Sequence, residues 1–186
     1  MTDLYTEPIA GYRTWVMDDT EPIITGVIHR MVWSPLEDSQ AVCRKNVLGN
    51  GRLQKGKRRS RHKVPCLTCQ CGFWAYDSMH DLKLATNYCW GSMLKSVRGV
   101  IIAYGRIQLT EKGFRAERAR PVGFLRWNDR RRLPSAEVKL TNDEKEQREH
   151  WNEQLEKIGK VYRVPIVDTE KELAEIANEF GTPISR

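Results

Sequence analysis

The sequence offers little for crossing a membrane and few of the motifs that mark familiar catalysis. Its 186 residues contain no run of about 18 apolar side chains, which argues against a transmembrane helix. No Gly-Lys-Ser/Thr follows Gly49-Asn50-Gly51-Arg52, so these glycines do not form a phosphate-binding loop. A nucleophile elbow and a His-Glu-x-x-His pair are also missing. Those absences weigh against an enzyme, and no small-molecule substrate is inferred. The first eight residues, Met1 to Pro8, lack the basic and apolar regions of an export signal. A cytoplasmic protein with reduced thiols is the expectation, and the odd cysteine count of 5 fits disulfides poorly.

One further absence is local. Residues 44–63 hold no Asp or Glu, yet they hold Arg44, Lys45, Arg52, Lys55, Lys57, Arg58, Arg59, Arg61 and Lys63. That segment carries +9 of a formal net charge of +7, leaving −2 for the rest of the chain. The basic character therefore belongs to one segment and not to the whole surface. Such a patch suits a polyanion, most directly DNA or RNA. Aromatic rings beside basic tracks serve single-stranded nucleic acid as stacking platforms. Trp127, set among Arg126 and Arg130 to Arg132, is the expected exposed ring, and most other aromatics suit a core.

What the chain does have is a Cys/His cluster. Cys43, His62, Cys66, Cys69 and Cys71 fall within 29 positions, and only Cys89 stands apart. Thiolate and imidazole together are the ligands of tetrahedral Zn²⁺. Five candidates compete for four places. The choice falls on Cys43, His62, Cys69 and Cys71, because Gly72 after Cys71 lets backbone amides approach a sulfur. Cys66 is the competitor, since Cys66-x-x-Cys69 is the commoner knuckle spacing. Four protein ligands close the site, so the expected zinc is structural. His29 lies in an apolar stretch and reads as a core residue, while His80 and His150 read as helix surface. Glu117, flanked by Arg115 and Arg118, suggests a cross-strand ion pair.

Strands are expected over 12–17, 24–33 and 41–43, with a hairpin tip at 48–53. Phe73 to Tyr76 follows the cluster, then a helix over 78–86 capped by Ser78 and Asp81. Residues 97–109 read as two strands, or as one bent at Gly105. Alternation over 114–119 places Phe114, Ala116 and Arg118 on one face. Capping boxes at Thr141 and Thr169 open helices over 142–158 and 170–180, which Gly159 and Gly181 should end. Trp151, Leu155 and Ile158 form the narrow stripe of the first, and Leu173, Ile176, Ala177 and Phe180 the apolar face of the second. Residues 161–167 between them read as extended.

Three stretches occur together: Gly11-Tyr12-Arg13-Thr14-Trp15, the Cys43…His62…Cys69-Gln70-Cys71-Gly72-Phe73-Trp74-Ala75 series, and Gly105-Arg106 with Gly113-Phe114-Arg115-Ala116-Glu117. In these the chain resembles a group of small, uncharacterised zinc-binding proteins of actinobacteria and their phages. A tyrosine-glycine-valine-proline turn often precedes the last helix of that group, and Tyr162-Arg163-Val164-Pro165 is similar, with arginine in place of glycine. The resemblance implies a small zinc-stapled β domain with C-terminal helices, and no particular activity. The long basic insertion and the extra Cys66 depart from the group and suggest a specialised, phage-encoded version.

The expected fold is α+β: a mainly antiparallel β core that could close toward a barrel, stapled by one zinc, with two C-terminal helices. The zinc-stapled β domain should cover 8–125 with its basic insertion at 44–63, and a helical segment over 141–181 should pack on it. The expected function is a non-enzymatic module that engages nucleic acid through the basic segment. The alternative is a protein-interaction factor that binds or inhibits a host protein. Neither reading involves a membrane.

Overall fold

In a computed structural model the described residues are 3–27, 31–43, 62–67, 69–87, 95–127 and 141–182. They form a mixed α+β fold around a mostly antiparallel seven-stranded sheet. In chain order the elements are β1 (Asp3–Met17), β2 (Ile24–Gly26), β3 (Ser39–Gln40), β4 (Phe73–Tyr76), α1 (Met79–Asn87), β5 (Ser96–Thr110), β6 (Gly113–Leu125), α2 (Asn142–Tyr162), β7 (Ile166–Val167) and α3 (Glu170–Phe180). No helix among the described residues is long and apolar enough to cross a membrane.

Four strands close on themselves. β1 pairs with β5, β5 with β6, β6 with β4, and β4 returns to β1 through Tyr12 opposite Tyr76. The result is the near-barrel ring that the alternating sequence anticipated. β5 is one strand and it bends at Gly105, whose φ of 78° favours glycine. The pairing with β6 slips there, so that Gly105 and Arg106 face the single residue Glu117. Glu117 serves this bulge: its carboxylate accepts the Arg106 amide at 3.2 Å. Arg115, one of its two expected ion-pair partners, instead faces the cysteines.

The bulges also change which β6 side chains point inward. Phe114 and Ala116 are buried as the alternation predicted, but Ala119 is buried next and Arg118 is exposed. A strict period of two cannot anticipate this, because each register slip re-aims the strand.

Two cores lie on opposite sides of the sheet. The first gathers Trp15, Trp33, Phe73, Phe114 and Phe124 with Trp151, Leu155, Ile158 and Tyr162 of α2. Trp15 meets Trp33 and Phe124 edge-on at centroid distances of 5.4 and 5.6 Å, a geometry that suits aromatic quadrupoles. The second core sets Leu173, Ile176 and Ala177 of α3, with Met79 and Leu82 of α1, against Val100, Ile102 and Val122. Phe180, expected on that apolar face, is exposed.

Three local expectations change. Residues 24–33 do not form one strand: Thr25 bridges Val32 antiparallel, and the Trp33 amide donates to the Ile24 carbonyl. The chain folds back on itself there, although His29 lies outside the described residues. α2 runs past Gly159, where a Cβ would sit 2.7 Å from Ile166 Cδ1. That glycine makes room for β7 and does not end the helix. The end comes at Arg163, with φ at 54° and the Val164 amide bonded to the Gly159 carbonyl. This is a left-handed C-terminal cap occupied by a non-glycine residue. At the other helix, Thr169 and Glu172 form the reciprocal capping box that the sequence predicts.

Tyr162 ties α2 to the returning segment. Its hydroxyl donates to the Trp33 carbonyl at 2.8 Å and accepts the Ile24 amide at 3.2 Å. Burial raises its pKa above the ordinary 10.0. Tyr162→Phe should therefore cost about 1–3 kcal/mol, because two buried backbone groups lose a partner. The folded chain holds the hydroxyl proton at pH values where the unfolded chain releases it. Stability from this group is thus complete below pH 10.0 and falls as pH rises through the folded value. Denaturant titrations should show the gap between parent and Tyr162→Phe narrowing above pH 10.0.

Candidate metal centre

Three pieces of chain converge on the cluster. β3 pairs with β6, and the Ala41 amide extends that ladder to the Glu117 carbonyl, which delivers Cys43. His62 arrives from the far end of the basic segment, followed by buried Val64 and Pro65. Cys66 to Cys69 make a turn closed by the Cys69 amide on the Cys66 carbonyl. Cys71 then lies at the entrance to β4, with Gly72 as the pivot. The Gly72 φ of 116° is open to glycine, and a Cβ there would press on the Ala116 carbonyl at 3.3 Å. Glycine is thus needed for the turn itself, beyond the amide approach that the sequence suggested.

The side chains of Cys43, His62, Cys69 and Cys71 bring four ligand atoms within 4.8 Å of one another. Cys43 and Cys69 sulfurs are 3.9 Å apart, and His62 Nε2 lies 3.2 Å from Cys69 Sγ and 3.3 Å from Cys71 Sγ. Cys69 and Cys71 sulfurs approach to 2.9 Å. A zinc tetrahedron with Zn–S of about 2.3 Å and Zn–N of about 2.0 Å has edges of about 3.5–3.8 Å. The cluster is on that scale, and these four residues could hold a metal ion.

Its electrostatics favour a cation. The Cys71 thiol is pushed up to about 12, first by burial, then by its hydrogen bond with Cys69 and by the Cys69 and Cys43 charges. A divalent cation reverses that situation by ionising coordinating thiols. Only the Cys66 backbone works the other way, through a hydrogen bond to the Cys71 sulfur. Cys66 thus serves the cluster with main-chain groups: its amide faces Cys71, and its carbonyl receives the Cys69 amide.

Arg115 is the residue that sequence reasoning missed. It is only 5% exposed, and it stands opposite Trp74 in the β4–β6 pairing. Its guanidinium donates to the carbonyls of Cys66, Cys69 and Cys71 and to Gln108 Oε1. The same group lies 5.1 Å from the centroid of the Trp74 ring. With a divalent ion bound, three thiolates and a neutral imidazole would leave a charge of −1, which Arg115 would compensate. No local signal marked it, because Arg115 sits in the alternating Phe114 to Ala119 segment beside Glu117 and Arg118. Arg13 is the second such group: it donates to the Trp74 carbonyl and lies 5.0 Å over Trp33. Desolvation lowers its pKa to about 10, so it stays charged at neutral pH.

The other predicted site residues are placed as follows. Arg44, Lys45, Arg52, Lys55, Lys57, Arg58, Arg59 and Arg61 lie outside the described residues, as does the 48–53 hairpin; Lys63 is exposed beside His62. Trp127 is half-buried, and its carbonyl accepts Asn152 Nδ2 at 3.3 Å. Among the tryptophans of the described residues, the exposed ring is instead Trp74. His80 is exposed on α1, near the Ser78–Asp81 cap. His150 is exposed with its ring against Trp151. No protein-family model, curated protein or solved structure matches the chain. What stands of the resemblance noted above is the Cys/His cluster itself.

Three outcomes test the centre. Cys69→Ser or Cys71→Ser should abolish metal binding in native mass spectrometry and cost several kcal/mol through the coupling of metal to folding. Cys66→Ser should retain the metal, because its contribution is main-chain. Arg115→Lys keeps the charge but not the planar fork of donors. It should cost at least about 2 kcal/mol in denaturant unfolding and speed metal loss to a chelator.

Proposed function

We propose that the chain is a zinc-stapled, non-enzymatic binding module that engages nucleic acid through the basic segment between Cys43 and His62. The observation that carries this reading is that both residues flanking the segment contribute to one four-residue cluster. Eight cationic residues of 44–61 thus start and finish at the same point, with Lys63 just beyond. The soft Cys3His donor set suits Zn²⁺ over harder cations. Four protein ligands leave no open position for substrate, which makes the metal a staple for the polypeptide. Phosphates then bind by charge, with counterion release as the driving force.

A protein partner is the second reading. Val42 and Leu67 are 59% and 63% exposed, and both adjoin the cluster in sequence. Apolar side chains of this kind at a basic site suit a partner with an acidic rim.

Fluorescence anisotropy with labelled DNA and RNA distinguishes the two. The expected result is weak, sequence-tolerant binding whose logarithm falls with log salt at a slope of about 0.7–0.9 per phosphate contacted. Replacing Lys57, Arg58, Arg59 and Arg61 by Ser or Gln, with His62 kept, should remove most of the binding and flatten the slope. Unchanged binding by that variant would move the site elsewhere. No binding at low salt, with a stable one-to-one complex surviving nuclease treatment, would favour the protein partner.

A further inference from the structure

We propose that Trp74 is a pre-set stacking platform for an unpaired base, and that the nucleic acid engaged at this site is single-stranded. The inference rests on the nucleic-acid reading above and extends it to a second, non-ionic contact.

β4 alternates strictly. Phe73 and Ala75 are buried in the core, while Trp74 points outward and is 40% exposed. An indole on an open sheet face gains little from burial, so its fixed position needs another account. Two contacts fix the ring, and a third holds its backbone. The indole N–H donates to the Gln70 carbonyl at 3.1 Å. The Arg115 guanidinium lies 5.1 Å from the ring centroid. The Trp74 carbonyl accepts from Arg13. A ring held in this way has little rotamer freedom left to lose on binding, which is the condition for a preorganised contact.

Its position suits the same ligand as the basic segment. Gln70 lies between Cys69 and Cys71, so the indole is anchored on the turn that carries two of the four cluster residues. The basic segment starts at Cys43 and returns at His62, within the same cluster. Lys63 is exposed beside His62. Phosphates drawn to this positive field would bring bases to the exposed indole. Every base offers a π-face, so such a contact tolerates any sequence. A paired, stacked base could not use it without leaving the duplex, and this selects single strands.

The test separates the ionic from the stacking contribution. Parent, Trp74→Leu and Trp74→Phe proteins are titrated with fluorescein-labelled oligothymidylate over a salt series, with unlabelled duplex as competitor. Native mass spectrometry and thermal melting verify metal content and fold in each variant. Trp74→Leu keeps an apolar cover on Arg115 but has no π-face. It should weaken binding about tenfold or more at every salt concentration and leave the salt slope unchanged. Trp74→Phe keeps a smaller π-face and should fall between parent and Trp74→Leu. Parent-like binding by a folded, metal-loaded Trp74→Leu protein overturns the stacking role alone. So does duplex competing as well as single strand, or a loss that comes with a changed slope. If Trp74→Leu fails to fold, Trp74→Phe decides: binding equal to parent with no quenching difference in tryptophan fluorescence overturns the proposal. Absence of nucleic-acid binding by the parent at low salt overturns this proposal and the nucleic-acid reading together.

Discussion

A guanidinium buried between a β-sheet and a cysteine turn needs compensating partners, because an uncompensated interior charge costs several kcal/mol; Arg115 has them at both terminal nitrogens, while its Nε has none. Arg115 is met by the carbonyls of Cys66, Cys69 and Cys71, by Gln108 and by the face of Trp74. Much of the structure around the cluster follows from those contacts. The three carbonyls lie on one turn, so one side chain fixes the path that the cysteines take. The sheet supplies the anchor, since Arg115 belongs to β6 and stands opposite Trp74 of β4. Sheet and candidate metal centre are thereby one mechanical unit, and a change at either is felt at the other.

The ring gives that unit its rigidity. β1, β5, β6 and β4 close through a single residue pair, Tyr12 and Tyr76, next to the half-buried Arg13. Closure leaves few open edges, which limits pairing with other chains. α2 seals one core with Trp151, Leu155, Ile158 and Tyr162, and α3 seals the other with Leu173 and Ile176. The aromatic contacts of Trp15 join the ring to the segment ending at Trp33. From there the chain passes through β3 to Cys43, so core packing bears directly on where the first cluster residue stands.

Functionally, the centre reads as a staple with two faces. Inward, the Cys/His cluster and Arg115 hold the entrance to β4. Outward lie Lys63, exposed Leu67 and Val42, and the indole of Trp74. In the proposed reading, four protein ligands would close the metal site and organise this surface. The nucleic-acid proposal uses that division: charge for affinity, an immobilised aromatic ring for the preference between strand states.

Much of this was legible in the chain itself. Local chemistry marked the four cluster residues, because thiolate and imidazole side chains concentrated within a short segment have few other uses. It also marked the Thr169 capping box, the α2 stripe from Trp151 to Ile158, and the bend at Gly105, each of which depends on neighbours a few positions away. What needed the tertiary structure were effects between distant residues. Arg115 could be read only as half of a surface ion pair, because its partners are 44–49 positions away in the chain. Gly159 looked like a helix stop because Ile166, which needs its space, arrives only when β7 folds back. Ala119 replaced Arg118 on the inner face because a register slip against β5 re-aimed the strand. Trp127 has Arg126 and Arg130 to Arg132 beside it in sequence and Trp74 has no such neighbours, so only the packing of α2 and the outward turn of β4 decided which of the two indoles meets solvent. Sequence determined the local donors, caps and periodicities; the choice among their possible partners was made by the sheet, through contacts whose separation along the chain hides them from any local pattern.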